Sequence, residues 1–132
     1  MDTTMHWPAL VTLAAVTLLF ACAWYVGAAR GKYKIRAPAT TGPEGFERAF
    51  RVQMNTLEGV VIFLPALWLA AIYFSPRIAA MIGAVWVVAR IWYAFAYAHN
   101  PNARGAPFVI AYVAWAVLMI LASWGLLTSP LW

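Results

Sequence analysis

Phe46-Glu47-Arg48-Ala49-Phe50-Arg51-Val52-Gln53-Met54-Asn55-Thr56-Leu57-Glu58 leads straight into an apolar run from Gly59 to Phe74. Each residue of an α-helix turns the chain by about 100°. Arg48, Arg51, Asn55 and Glu58, at spacings of three, four and three, therefore fall on one stripe. Two cations, an amide and an acid share one helix face just where the chain becomes hydrophobic. A charge near the centre of a bilayer costs roughly 3 kcal/mol or more. The stripe must face a protein interior or a ligand. It is either a structural polar network between packed helices or a site for a small zwitterion. In the second case the arginines take carboxylates and Glu58 takes an amine.

Composition sets the surroundings of this stretch. The chain has 132 residues, 65% hydrophobic and 10% charged, against about 25% charged in a soluble domain. A transmembrane helix needs about 20 mostly apolar residues. Such stretches are expected at about residues 7–29, 46–74, 77–98 and 106–128. The chain is thus read as a single all-α integral membrane domain over residues 1–132. The short connections favour an up-down-up-down bundle. Any chemistry lies in or at the edge of the bilayer. The net charge of +5 comes from basic residues beside apolar runs, which fits a membrane-edge clamp and not a nucleic-acid surface.

The first run lacks the Lys or Arg leader of a cleavable signal and is expected to be retained as a helix. Trp7 and Trp24 suit its two interfaces. Cys22, the chain's one cysteine, is expected to pack. Arg30, Lys32, Lys34 and Arg36 follow at alternate positions, and Ala37 to Gly45 reads as a loop. Pro65 should kink the second helix, with neighbouring helices satisfying the freed carbonyl. The third helix carries a second stripe, Trp86, Arg90, Tyr93 and Tyr97. Arg90 lies deep in apolar sequence and needs a partner, Glu58 or a bound anion. The tyrosines are interfacial anchors or hydroxyl donors to a ligand. His99 to Gly105 reads as a third loop with His99 in solvent, and no neighbouring ligands suggest a metal. Trp124 and Trp132 suit the far interface of the fourth helix.

Loops one and three carry Arg30, Lys32, Lys34, Arg36, Arg48 and Arg104, and the other side carries Arg77 and Asp2. By the positive-inside rule these two loops face the cytoplasm and both termini face away. Arg30, Arg51 and Arg104 then lie at one membrane face and can converge on one anion.

These residues resemble a known family, the membrane-associated proteins of eicosanoid and glutathione metabolism. The resemblance rests on Ala29-Arg30 with Lys32-Tyr33-Lys34, on Thr41-Gly42-Pro43, and on Phe46-Glu47-Arg48 through Arg51, Gln53, Asn55 and Glu58. Arg90 with Tyr93 and Tyr97, and Arg104 before Ala106-Pro107, complete it. It implies a four-helix subunit, a homotrimer, and glutathione bound between adjacent subunits near the cytoplasmic face. By position it makes Arg30, Arg51, Gln53, Asn55, Glu58, Arg90, Tyr93 and Tyr97 the glutathione-binding set. It makes Arg104 the residue that stabilises the thiolate. Gly31 stands where the family's leukotriene-forming branch has a second arginine, and Gly59 where that branch has a tyrosine. The Arg-x-Lys-Tyr-Lys pattern is more similar to the type 2 microsomal transferase branch. Arg51 is absent from the family's non-catalytic lipoxygenase-activating branch.

What the resemblance implies is a transferase that uses glutathione as co-substrate and holds no metal. Its partners would be hydrophobic electrophiles or lipid hydroperoxides from the bilayer, giving transferase or peroxidase chemistry. The alternative on the same fold is a non-catalytic lipid-binding scaffold; a small transporter or channel subunit is a further class. Either the bacterial inner membrane or the endoplasmic reticulum would accommodate such a chain.

Overall fold

Among the residues described by the computed structural model, 3–130, four long helices carry the fold. A single 3-10 turn at Thr3–Met5 precedes α1 (His6–Tyr33), α2 (Glu44–Tyr73) and α3 (Pro76–His99). A second 3-10 turn, Pro101–Arg104, leads into α4 (Gly105–Leu127). All four helical segments are long and apolar enough to cross a membrane, so the all-helical, four-span expectation holds. Asp2 and Trp132, which the sequence places in the topology and interface arguments, lie outside the described residues.

The helix ends differ from expectation in instructive ways. α1 does not stop near Ala29 but continues to Tyr33, so Arg30 and Lys32 are helical. Alternating cations read as a loop, yet Lys and Arg are good helix formers and suit a C-terminal turn. The stop is Lys34, which takes a left-handed conformation (φ 57°) while its N–H returns to the Arg30 carbonyl. His99 is not in a loop but is the last residue of α3, with its Nδ1 2.8 Å from the Phe95 carbonyl. The expected third loop is largely helical. Pro101 presets its first turn, and the Asn100 side-chain oxygen accepts from the Asn102 N–H at 3.1 Å. At the α2–α3 joint, Ser75 Oγ accepts from the Ile78 N–H at 3.3 Å and Pro76 takes the first turn.

α2 and α3 form the centre, each packing on the other three helices, with α1 and α4 on opposite sides. The contacts set the directions. Trp68 Nε1 donates to Thr12 Oγ1 at 3.0 Å near one end, and Ala29 packs with Phe46 and Ala49 near the other. α1 and α2 are therefore antiparallel. Gly125, at the end of α4, lies against Tyr73, at the end of α2, so those two run the same way. In the middle, Phe63 and Trp86 stack at 3.9 Å with nearly parallel rings. The α2 helix passes through Pro65 without interruption. Pro65 frees the Val61 carbonyl. The carbonyl beside it, of Ile62, accepts from the Trp115 indole at 3.0 Å, so α4 supplies a polar partner at the weakened turn.

At Gly125, α4 comes close to the α2 backbone. A Cβ there would meet the Tyr73 carbonyl oxygen at 2.2 Å, a backbone atom that cannot swing away. Gly125→Ala should therefore destabilise the fold by about 1–3 kcal/mol, although alanine is the better helix former by about 1 kcal/mol. A thermal melt in detergent checks this; an unchanged or raised midpoint would remove the contact as a determinant of packing.

Candidate functional site

One end of the bundle is hollow. A cavity of about 630 Å³ opens between the first half of α2, the last turns of α3 and the start of α4, within the usual range of about 300–1,000 Å³ for small-molecule sites. Thr40 and Thr41, from the loop between α1 and α2, form part of its rim.

The α2 stripe supplies Arg51, Asn55 and Glu58, and Glu47 joins them one turn earlier. Helical spacing puts all four on the face turned toward α3 and α4. α3 supplies Tyr93 and Tyr97, four residues apart, both buried and stacked with ring centroids 5.8 Å apart. They are not interfacial anchors; their positions turn them inward. Arg104 closes the end, its guanidinium carbon 5.0 Å from the centroid of the Tyr97 ring. Phe108 packs beside Tyr93 at 6.2 Å and makes the deeper wall apolar. The cavity thus holds two cations, two carboxylates, an amide and two phenols. Among the described residues the one ion pair is Arg48 with Glu44, so Arg51, Arg104, Glu47 and Glu58 are not paired with each other. Uncommitted charges of both signs facing one space can bind a zwitterion with carboxylates and an ammonium.

Behind this wall sits Arg90, 2% exposed. Its Nη2 donates to Thr56 Oγ1 at 2.9 Å, and its guanidinium carbon lies 4.2 Å from the Tyr93 ring centroid. Pairing with Glu58, one of the two partners the sequence offers, is not made. A hydroxyl and an aromatic face take the guanidinium instead, and Nε has no partner. The two arginines bracket the two tyrosines in the order Arg90, Tyr93, Tyr97, Arg104. Cation–π contact holds such rings in place.

Three expected members of the site stand elsewhere in the chain. Arg30 does not converge with Arg51 and Arg104. Its Nη1 donates to the Ala39 carbonyl at 2.7 Å and its guanidinium covers Phe46 at 5.0 Å, because α1 lies across the bundle from α4. Gln53 is about 200° around α2 from Arg51 and does not line the cavity. Arg48, though on the stripe, is held by Glu44 one turn back. Cys22 is buried, with Sγ 4.0 Å from Thr56 Oγ1, as a packing residue would be.

The sequence reading missed Thr56, Glu47, Phe50, Met54 and Phe108. Glu47 was legible as the residue four before Arg51. Thr56 was not, because its partner Arg90 is 34 residues away. The two glycine departures also differ physically. A Cβ at Gly31 meets nothing within 4 Å, whereas one at Gly59 meets the Trp86 ring at 3.3 Å. A side chain at 59 would need the Trp86 ring to give by a few tenths of an ångström, whereas one at 31 is unopposed. Among the described residues no group of three His, Cys, Asp or Glu side chains could hold a metal.

Comparison with known proteins identifies the family. Residues 8–124 match the MAPEG family. The chain is 46% identical over 130 residues to an uncharacterized protein of Synechocystis sp., spanning 98% of this chain and 92% of that one. It is 43% identical over 118 residues to microsomal glutathione S-transferase 2 of Mus musculus, spanning 86% and 80% respectively. It is 39% identical over 119 residues to leukotriene C4 synthase of Cavia porcellus, spanning 90% and 79%. A family match through all four helices, and relatives this similar over most of their length, mean that the chain belongs to the MAPEG family.

Proposed function

We propose that the chain is a membrane-embedded glutathione transferase that also reduces lipid hydroperoxides. The observation that carries this reading is the cavity with unpaired Arg51, Glu58 and Arg104 around one space. Glutathione has two carboxylates, one ammonium and one thiol. Arg51 takes a carboxylate, since arginine stays charged and binds carboxylates with two parallel hydrogen bonds. Glu58 takes the ammonium, and Asn55, Tyr93 and Tyr97 hold the peptide groups. Arg90 acts from behind, holding the Tyr93 ring. Arg104 stands beside the thiol and favours its ionised form, which is the nucleophile.

In the transferase reaction the thiolate forms a bond to an electrophilic carbon of a hydrophobic substrate. The thiol's proton goes to solvent and the displaced or opened group leaves with the substrate's electron pair. With a lipid hydroperoxide, the thiolate attacks the terminal oxygen. The O–O bond breaks, the lipid leaves as its alcohol after taking a proton, and a second glutathione reduces the sulfenic acid to give the disulfide and water.

Arg30 and Gln53 support a site shared between copies. Neither lines the cavity of its own subunit, and Arg30 is held by the loop between α1 and α2. A neighbouring copy that sets its α1–α2 side against the open cavity would add its own Arg30 and Gln53 to the ligand shell. The same packing covers charges that would otherwise face lipid. The family resemblance makes that assembly a homotrimer around a threefold axis, and the positive-inside rule puts loops one and three toward the cytoplasm. Mass measurement in detergent should give three copies; a monomer at every workable concentration would overturn the assembly.

The experiment on function is a screen of the purified protein with glutathione against electrophiles and lipid hydroperoxides. Thioether or alcohol formation supports the proposal. Glutathione binding without turnover of any of them would make the chain a non-catalytic binder.

A further inference from the structure

At the opposite end of the bundle a second groove runs between α1 and α3. It measures about 650 Å³. Its α1 wall is Trp7, Leu10, Val11 and Ala14, and on α3 it runs from Arg77 past Ala80 and Ala84 to Val88. Both helices start at this end, so the groove begins at the helix starts and descends along them. From Arg77 to Val88 is about 16 Å of helix, close to half of the roughly 30 Å hydrocarbon core. The groove is thus one leaflet deep. Small residues make its floor, and Leu10, Met81 and Val88, all more than half exposed, make its rims. Its one charge is Arg77, at the mouth beside Trp7.

Arg77 has no ion pair among the described residues. The acids described, Glu44, Glu47 and Glu58, all lie in the half of α2 that belongs to the other end. We propose that this groove holds one anionic phospholipid of the adjacent leaflet. Its phosphate meets the Arg77 guanidinium, with the Trp7 indole at the same level, and one acyl chain lies along Ala14, Ala80 and Ala84. Arginine matches phosphate geometry with paired donors, and tryptophan favours the headgroup level. Among the described residues, a wholly apolar occupant would leave the cation without a counter-charge. A second copy of the chain is not the occupant if subunits join through the α1–α2 side and the open cavity, a clause that rests on the assembly proposed above; the α1–α3 edge then faces lipid.

The test is native mass spectrometry of the full chain in detergent, titrated with phosphatidylglycerol or phosphatidylcholine. Arg77→Gln should lose about fivefold in phosphatidylglycerol retention and one retained lipid per subunit, about 1 kcal/mol for one interfacial cation. Arg77→Lys should keep part of the preference. The basic residues at the end of α1 are common to all variants and cancel in the comparison. Ala84→Leu, which fills the groove and leaves the charge, should lower retention of both lipids. Equal phosphatidylglycerol retention in wild type and Arg77→Gln would overturn the proposal. So would a photo-crosslinker at Met81 that joins one copy to another in place of lipid. Neither measurement uses glutathione turnover, so failure of the catalytic reading and failure of this site are separately visible.

Discussion

Replacing Arg104 with alanine will raise the pKa of the bound glutathione thiol by about two units, equivalent to about 2.7 kcal/mol. Arg104 sits at the cavity rim against the Tyr97 ring, and no acid forms an ion pair with it among the described residues. Its charge is free to act on a ligand. A cation beside a thiol favours the thiolate and lowers the pKa. An ordinary thiol titrates near 8.5; with Arg104 present the bound thiol would titrate near 6.5. At pH 7 the thiolate fraction then falls from about three quarters to about 3% on substitution, and the rate falls roughly 25-fold. The sign is fixed by the ionised form being the reactant. The fold-loss is largest below the wild-type value and recovers as pH rises through the raised one. Binding of glutathione at low pH, where the thiol is protonated, should change little. Thiolate absorbance titrated with glutathione bound, wild type against Arg104→Ala, gives the answer. Coincident curves in two proteins that both bind would make Arg104 a membrane anchor and remove the central step of the mechanism. Arg104→Lys should keep most of the thiolate shift, because a charge and not a fork geometry is needed.

The second large effect is expected at Glu58. Its carboxylate lines the cavity and forms no ion pair with Arg51 or Arg90, and Arg90 is already committed to Thr56 and the Tyr93 ring. Glu58→Gln should therefore cost the fold little. A structural partner would behave otherwise, since breaking a buried pair costs about 3–5 kcal/mol. Glutathione affinity should drop by roughly 10- to 150-fold, the worth of about 1.5–3 kcal/mol for a hydrogen bond to a charged group. Calorimetry with glutathione, beside a melt of the free protein, separates the two roles. A folded variant with unchanged affinity would exclude Glu58 as the ammonium ligand. A variant that melts early without glutathione would assign it to the fold.

Much of the architecture was written in one-dimensional pattern. Apolar length alone dictated four spans, because a bilayer core of fixed thickness demands helices of matching length. The 3.6-residue period placed Arg51, Asn55 and Glu58 on one face, and the structure turns that face to the cavity. Arg90 was conspicuous as a charge in apolar sequence, and its burial follows. Local competition was harder to read. Arg48 shares the period of the stripe but is captured by Glu44, since residues four apart meet on a helix surface. The end of α1 at Lys34 was equally hidden, because helix-forming cations carry the helix on beyond the apolar run.

Sequence by itself determined the class, the spans, the polar stripes and the family. Tertiary structure alone decided which charges share a space. Thr56 meets Arg90 and Arg104 covers Tyr97 because α2, α3 and α4 bring distant turns together. Arg30 and Gln53 stand off the cavity because α1 packs on the other side of α2 and α3. Periodicity tells each helix which face is polar. It does not say which neighbour that face will meet, since that depends on side chains fitting across helices, such as Gly125 against Tyr73 and Phe63 against Trp86.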